Sequence, residues 1–165
     1  ESMLSDRFLS ESPDIDMLKR CPSGSLGRAY WHYLEDNELD ANLLRESDFI
    51  PAHKSRGPDE GHLAERGFQL HDLFHVLTGY DTTPLGEVKV VSFTVAQAPA
   101  PYPAMIIASR PLQMVLYQPE LLPLVMDAIT EGWIRGRTAK PLLPVHWENH
   151  WDESLDELQA LYDLI

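Results

Sequence analysis

Hydrophobic positions recur along the chain mostly at helical spacing, and Gly and Pro divide it into helix-sized pieces with no internal repeat and no low-complexity linker. After the Pro22-Ser23-Gly24 break, Leu26, Ala29, Tyr30, Tyr33 and Leu34 keep to one side of a helix expected over Ser25 to Asn37. Gly57-Pro58 marks the start of the next, expected from Asp59 to about Thr78. There Leu63, Leu70, Phe74 and Leu77 share a side, Asp59 can cap the start and Gly79 can close the end. Glu87 to Gln97 reads two ways. Val88, Val90, Val91, Thr94 and Val95 are β-branched, which leans to a strand, yet Val88, Val91 and Val95 also fall at helical spacing. Beyond the polar-poor loop Ala98-Pro99-Ala100-Pro101, the run Ala104 to Ile134 has room for two or three helices. Pro111 and Pro119 stand at first-turn positions, and Pro123 allows a kink or a late start. Ser154 followed by Glu157 fits a capping box that opens a short helix to about Asp163. The pattern as a whole predicts a mostly helical domain.

Composition narrows the classes. A chain of 165 residues suits one domain, and 44% hydrophobic with 24% charged residues suffices for a buried core. Lys+Arg number 13 against 26 Asp+Glu, so a net charge of -13 argues against a nucleic-acid partner. Cys21 is the only cysteine, which excludes an intrachain disulfide and a cysteine-rich zinc site. No run approaches the roughly 18 apolar residues of a membrane span. The nearest, Tyr102 to Tyr117, is interrupted by Ser109-Arg110-Pro111. Glu1 to Arg20 has acidic residues where a signal peptide carries a basic region. The numbering starts at Glu1 without an initiator methionine, and the expectation is a piece of a longer chain.

The chemistry concentrates in His71-Asp72-Leu73-Phe74-His75, followed after eleven residues by Glu87. On a helix, His71 and His75 project from one face a turn apart, so two imidazoles can meet one cation. Asp72 stands about 100° around the axis and can ligate at the edge or orient a ligand. Gly79, Pro84 and Gly86 let the chain reverse and bring Glu87 back toward the histidines. Two neutral imidazoles with two carboxylates balance a divalent charge; such mixed donors suit zinc first and admit manganese, iron or magnesium. A histidine pair four apart also occurs as plain helix surface or as a satisfied core pair, and spacing alone leaves that reading open. Zinc peptidases of the His-Glu-x-x-His type place a glutamate beside the first histidine as general base. Here that residue is Asp72, one methylene shorter, which makes a metal-dependent hydrolase the weaker alternative.

At these residues the sequence resembles the coenzyme Q (ubiquinone) biosynthesis protein four family, whose signature is His-Asp-x-x-His, eleven residues, then Glu. His71, Asp72, His75 and Glu87 stand at that spacing. Pro22-Ser23-Gly24-Ser25-Leu26-Gly27-Arg28-Ala29-Tyr30 resembles the family's glycine-containing helix start. Leu77-Thr78-Gly79-Tyr80 follows the histidine motif as it does there, and Gly132 through Leu143 with Trp147 resembles the C-terminal block. The likeness covers most of residues 1 to 165, while family members usually carry an additional N-terminal segment.

The resemblance implies an all-α, single-domain, membrane-associated protein that binds a prenylated quinone precursor or other isoprenoid lipid and supports assembly of the other quinone-biosynthesis enzymes. Some members are assigned oxidative decarboxylation of the ring carbon that carries the benzoate carboxyl group; a non-catalytic lipid-binding scaffold is the alternative. It replaces the strand reading of Glu87 to Gln97 by a helix and makes His71, Asp72, His75 and Glu87 the metal ligands and catalytic residues. Helices around a lipid-binding slot then draw on Met105, Ile106, Ile107, Leu112, Met114, Val115, Leu116, Leu121, Leu122 and Val125, although apolar stripes of this kind ordinarily form core. Arg135, Arg137 and Lys140 read as the only basic cluster, suited to lipid or pyrophosphate headgroups or to a solvated helix end. The last 25 residues hold six acidic residues and no Lys or Arg, a solvated face or a partner surface. A homodimer peripheral to a membrane is expected, on the cytoplasmic face of the inner membrane in a bacterium or the matrix side of the mitochondrial inner membrane in a eukaryote.

Overall fold

A computed structural model describes residues 8–41, 57–98 and 101–165. Among these residues the fold is all-α, with seven α-helices and no strand. The helices are α1 (Ile15–Arg20), α2 (Leu26–Asp36), α3 (Pro58–Thr78), α4 (Pro84–Gln97), α5 (Pro101–Tyr117), α6 (Leu122–Thr138) and α7 (Leu155–Leu161). Short 3₁₀ turns lie at Pro119–Leu121 and Trp147–Asn149. The helices group into two compact units: the described part of Glu1–Thr78 with Pro141–Ile165, and Gly79–Lys140.

In the first unit, α2 begins where the sequence places it. The Ser25 side chain accepts a hydrogen bond from the Arg28 N–H, satisfying one of the free amides of the first turn. The amides of Leu26 and Gly27 donate to the carbonyls of Glu153 and Trp151 at 2.9 and 2.8 Å, so the C-terminal segment takes up the next two. α3 differs from expectation at its start. Pro58 opens it, because a proline's missing N–H costs nothing there, and Asp59 sits inside the first turn rather than at the cap. At its far end Gly79, at φ +70°, adopts the left-handed conformation that stops a helix. Leu70, Leu73, Phe74 and Leu77 of α3 are buried, as are Leu18, Leu26, Tyr30, Leu142, Trp147, Leu158 and Leu164 of the same unit. The expected capping box at Ser154 forms its first half, Ser154 accepting from the Glu157 N–H, and α7 ends at Leu161.

Arg66 is buried in this core at 2% exposure. Its guanidinium donates to the carbonyls of Val145 and Leu143 at 2.6 and 3.4 Å and to the hydroxyl of Ser10 at 3.3 Å. It also pairs with the Glu148 carboxylate at 2.9 Å. The Phe8 ring lies 5.3 Å from the same guanidinium and stacks on His146. One buried cation thus joins α3 to the 143–148 segment and to the chain around Phe8–Ser10.

In the second unit, the segment whose β-branched residues lean to a strand is the helix α4. Thr83 caps it, Pro84 opens it, and Val88, Val90, Val91, Phe93 and Ala96 are all buried. Burial on several sides rewards a helix here, and tertiary packing overrides the weaker intrinsic preference. α6 packs closely on α4 through glycines: a Cβ on Gly132 would stand 2.2 Å from the Lys89 carbonyl oxygen, and one on Gly136 2.6 Å from that of Phe93. Pro111 does not open a helix; it lies inside α5, which already starts at Pro101. Pro119 opens the 3₁₀ turn and Pro123 falls in the first turn of α6. Of the loop expected over Ala98 to Pro101, residues 99 and 100 lie outside the described residues. α5 buries only Met114 of its 17 residues and exposes Met105, Leu112, Val115, Leu116 and Tyr117. No helix among the described residues is long and apolar enough to cross a membrane.

Candidate metal centre

α3 presents His71 and His75 from one face, as the i,i+4 spacing requires. Their ring centroids are 5.0 Å apart with planes at 78°, edge to face, and one ring nitrogen of each lies within 4.8 Å of the other. The two are not equivalent. His75 is buried at 1% exposure, whereas His71 is half-buried. The pair is therefore anchored in the core at His75 and less deeply buried at His71. Asp72, also half-buried, does not gather its carboxylate oxygens with the two ring nitrogens, which fits an orienting role better than direct ligation. Glu87 sits in the first turn of α4, half-buried, in the second unit.

Tyr33 of α2 stacks on His75 with centroids 5.5 Å apart and planes at 23°. The sequence places Tyr33 in the apolar stripe of α2, and periodicity alone cannot separate a ring that packs on core from one that packs on a candidate ligand. Arg66 and His62, both buried, also escape periodicity, because a charged or polar residue on a helix reads as solvated until its partners are known.

The residues read as slot lining divide by exposure. Met114 and Val125 are buried; Ile106, Ile107 and Leu122 are half-buried; Met105, Leu112, Val115, Leu116 and Leu121 are exposed. Of the basic cluster, Arg137 and Lys140 are exposed, while Arg135 is half-buried with its guanidinium 5.0 Å from the ring centre of the buried Tyr80. Lys89 lies 5.4 Å from the same ring and pairs with Glu131 at 2.7 Å. Burial pushes the Tyr80 phenol up, against the opposing pull of Arg135. That cluster is not the only cationic group, contrary to the sequence reading. Lys19 and Arg28 both lie over the Trp31 ring, at 5.3 and 4.7 Å, brought together by the packing of α1 on α2, which separation along the chain conceals. Near Arg66, burial would raise the Glu148 carboxyl, but the hydrogen bond and charge of the guanidinium outweigh it and hold the group below its ordinary range.

Residues 2–165 match the family described as coenzyme Q (ubiquinone) biosynthesis protein Coq4. The chain is 30% identical over 166 residues to a mitochondrial ubiquinone biosynthesis protein COQ4 homolog of Drosophila ananassae, covering 93% of this chain and 58% of that protein. It is 32% identical over 148 residues to the corresponding mitochondrial homolog of Danio rerio, covering 88% and 51%. The chain thus spans little more than half the length of these relatives. A crystal structure from Nostoc punctiforme, of a protein provisionally assigned to ubiquinone biosynthesis, superposes with a TM-score of 0.80 at 24% identity over 99% of this chain and 73% of that one, a likeness of fold. On the family match, which takes in the histidine motif of α3, the chain belongs to the coenzyme Q (ubiquinone) biosynthesis protein Coq4 family.

Proposed function

We propose that the chain acts in coenzyme Q biosynthesis as a metal-dependent protein that binds a polyprenylated benzoquinone precursor, supports oxidative decarboxylation at the ring carbon bearing the carboxyl group, and helps organise the other enzymes of the route. The observation that carries this reading is the His71–His75 pair on α3, with one histidine buried and the other half-open, in a chain of this family. A pair closed on both sides would suit a purely structural ion; an open side suits an ion that meets a ligand.

In this reading the 165 residues act as one functional domain, with Glu87 supplying a carboxylate to the ion held by the histidines and Asp72 orienting a ligand from beside them. The donor set fits a divalent ion, since two neutral imidazoles and a carboxylate match zinc and accept manganese, iron or magnesium. A bound ion would supply electrostatic stabilisation for charge developing on the ring as carbon dioxide leaves. The residues of the chain do the rest: His75 fixes the position, and half-open His71 leaves one side for the carboxylate or phenolate head of the precursor. Helices α5 and α6 and the 3₁₀ turn between them offer apolar surface for the tail, with Met105, Ile106, Leu112, Met114, Val115, Leu121, Leu122 and Val125 as its contacts. Arg135, Arg137 and Lys140 serve headgroups or a membrane surface.

The exposed apolar residues of α5 support peripheral contact with a membrane, because a large apolar patch on a soluble surface marks an interaction site. The relatives named above are mitochondrial. The corresponding place for this protein is the matrix side of the inner membrane in a eukaryote or the cytoplasmic face in a bacterium, as a homodimer. Incubating the purified protein with a prenylated hydroxybenzoate and following loss of the carboxyl group tests the enzyme reading. Turnover that disappears in His75→Ala supports it; tight binding without turnover leaves the scaffold reading, and hydrolysis of peptides or esters instead would sustain the hydrolase.

A further inference from the structure

We infer that Tyr33 of α2 is the positioning residue of the histidine pair: stacked on the buried ring of His75, it fixes the plane of that ring and so the direction in which His75 presents its donor nitrogen. The inference rests on the metal reading above and extends it to a residue outside the His-Asp-x-x-His motif.

The geometry carries the argument. A histidine on a helix has two soft side-chain torsions, and the second of them, which sets the ring plane, occupies a broad well rather than a sharp one. Position along α3 therefore fixes where His75 starts and not how its ring is turned. Among the described residues, the rings of His71 and Tyr33 both lie against it. His71 meets the ring edge-on at 5.0 Å, and Tyr33 covers it nearly parallel at 5.5 Å and 23°. His71 lies on the same helix, so it moves with α3 and is no outside reference for the ring. Tyr33 belongs to another helix and offers a broad flat face, which makes it the external reference for the ring.

A reference is useful only if it is held, and α2 is. Its first turn is capped by Ser25 and tied to the C-terminal segment through the Leu26 and Gly27 amides. Gly27 is pressed so closely that a Cβ there would lie 2.7 Å from Cys21 Sγ and 3.0 Å from the Trp151 carbonyl oxygen. At the other end the Asn37 side chain donates to the carbonyl of Tyr33 itself at 2.8 Å. The end of α3 is held from the same C-terminal segment, Gln159 of α7 donating to the Leu77 carbonyl at 3.0 Å. Residues 151–159 thus hold both helices that carry the stacked rings.

The ordinary alternative is that the stack is core packing with no bearing on the metal. Two readouts, zinc affinity and the cobalt spectrum, separate the two, and a third tests the stack that both assume. In the metal-free wild-type protein, NMR should find the His75 ring protons displaced upfield by the Tyr33 ring current; ordinary shifts would overturn the inference without any substitution. Zinc affinity, measured by competition with a chromophoric chelator, should hold within about twofold in Tyr33→Phe, which keeps the flat face. It should fall by about tenfold to a hundredfold in Tyr33→Leu, the range for residues that orient a metal ligand from behind it. Visible absorption of the cobalt-loaded protein should match wild type in Tyr33→Phe and change in band position or intensity in Tyr33→Leu. Helical circular dichroism checks the fold of each, and Tyr33→Met replaces Tyr33→Leu if the latter does not fold. Unchanged zinc affinity and an unchanged cobalt spectrum in the leucine or methionine protein would overturn the positioning role while leaving the metal site in place. A wild-type protein that binds neither zinc nor cobalt would overturn the metal reading and the role with it.

Discussion

Replacing Arg66 by Ala removes a buried guanidinium that holds α3, the 143–148 segment and Ser10 together. Two effects add. The carbonyls of Leu143 and Val145 lose their charged donor, and the Glu148 carboxylate, whose side chain is 24% exposed, is left without its cation. Breaking a buried pair from one side costs about 3–5 kcal/mol, chiefly for the charge left behind. At about 2–4 °C per kcal/mol for a chain of this size, the midpoint of thermal unfolding should fall by about 6–20 °C. The double change Arg66→Met with Glu148→Leu should cost clearly less than the sum of the single changes, because no charge is then stranded. Acid gives an independent check. Glu148 has its folded pKa below its unfolded value, so its contribution is fully present above the ordinary value of 4.5 and is lost as the pH falls through the lowered folded value. Wild-type stability should decline over that window, and Glu148→Gln should decline less steeply. A fall of under about 2 °C for Arg66→Ala, or simple additivity in the double variant, would refute the reasoning.

In the second unit, Gly132→Ala forces a Cβ against the Lys89 backbone and should lower stability by about 1–3 kcal/mol in chemical denaturation, whereas Gly67→Ala in α3 meets nothing within 4 Å and should be neutral or stabilising by about 0.5–1 kcal/mol. If both changes cost the same, close packing is not what places glycine at Gly132. Met114→Trp and Val115→Trp should weaken binding of prenylated ligands while leaving metal content intact, and His75→Ala should show the opposite profile; equal binding of unprenylated hydroxybenzoates would contradict the tail contact. Flotation with lipid vesicles should persist as salt is raised, because a net charge of -13 disfavours purely electrostatic docking on anionic lipid, and a monomer that does not float at moderate salt would refute the peripheral, dimeric reading.

Helices whose boundaries rest on local chemistry were legible from the chain. Ser25 and Ser154 cap α2 and α7 through their own side chains, and Gly79 closes α3 through its own backbone, so neighbouring letters suffice. α4 shows where local signals fail. Its β-branched run leans to a strand until its burial is known, and that burial comes from residues far along the sequence. Pro111 misleads for a related reason, since a proline looks like a helix start unless the preceding turn is already wound. At the site, the spacing of His71 and His75 reveals a shared face without revealing that one ring is buried and the other half-open. Tyr33, Arg66 and the Lys19–Trp31–Arg28 group are set by contacts between separate segments, and no spacing rule reaches them.

Whether the α3 histidines hold a divalent ion is decided by metal analysis of the purified chain beside its His71→Ala, His75→Ala and Glu87→Ala variants. The wild-type chain should carry about one divalent ion, as expected for a single mixed-donor site. Metal should be lost sharply in both histidine variants and held more weakly in Glu87→Ala, with helical circular dichroism preserved, since a core of this size does not depend on the ion. Metal content unchanged in both His71→Ala and His75→Ala would contradict the metal reading.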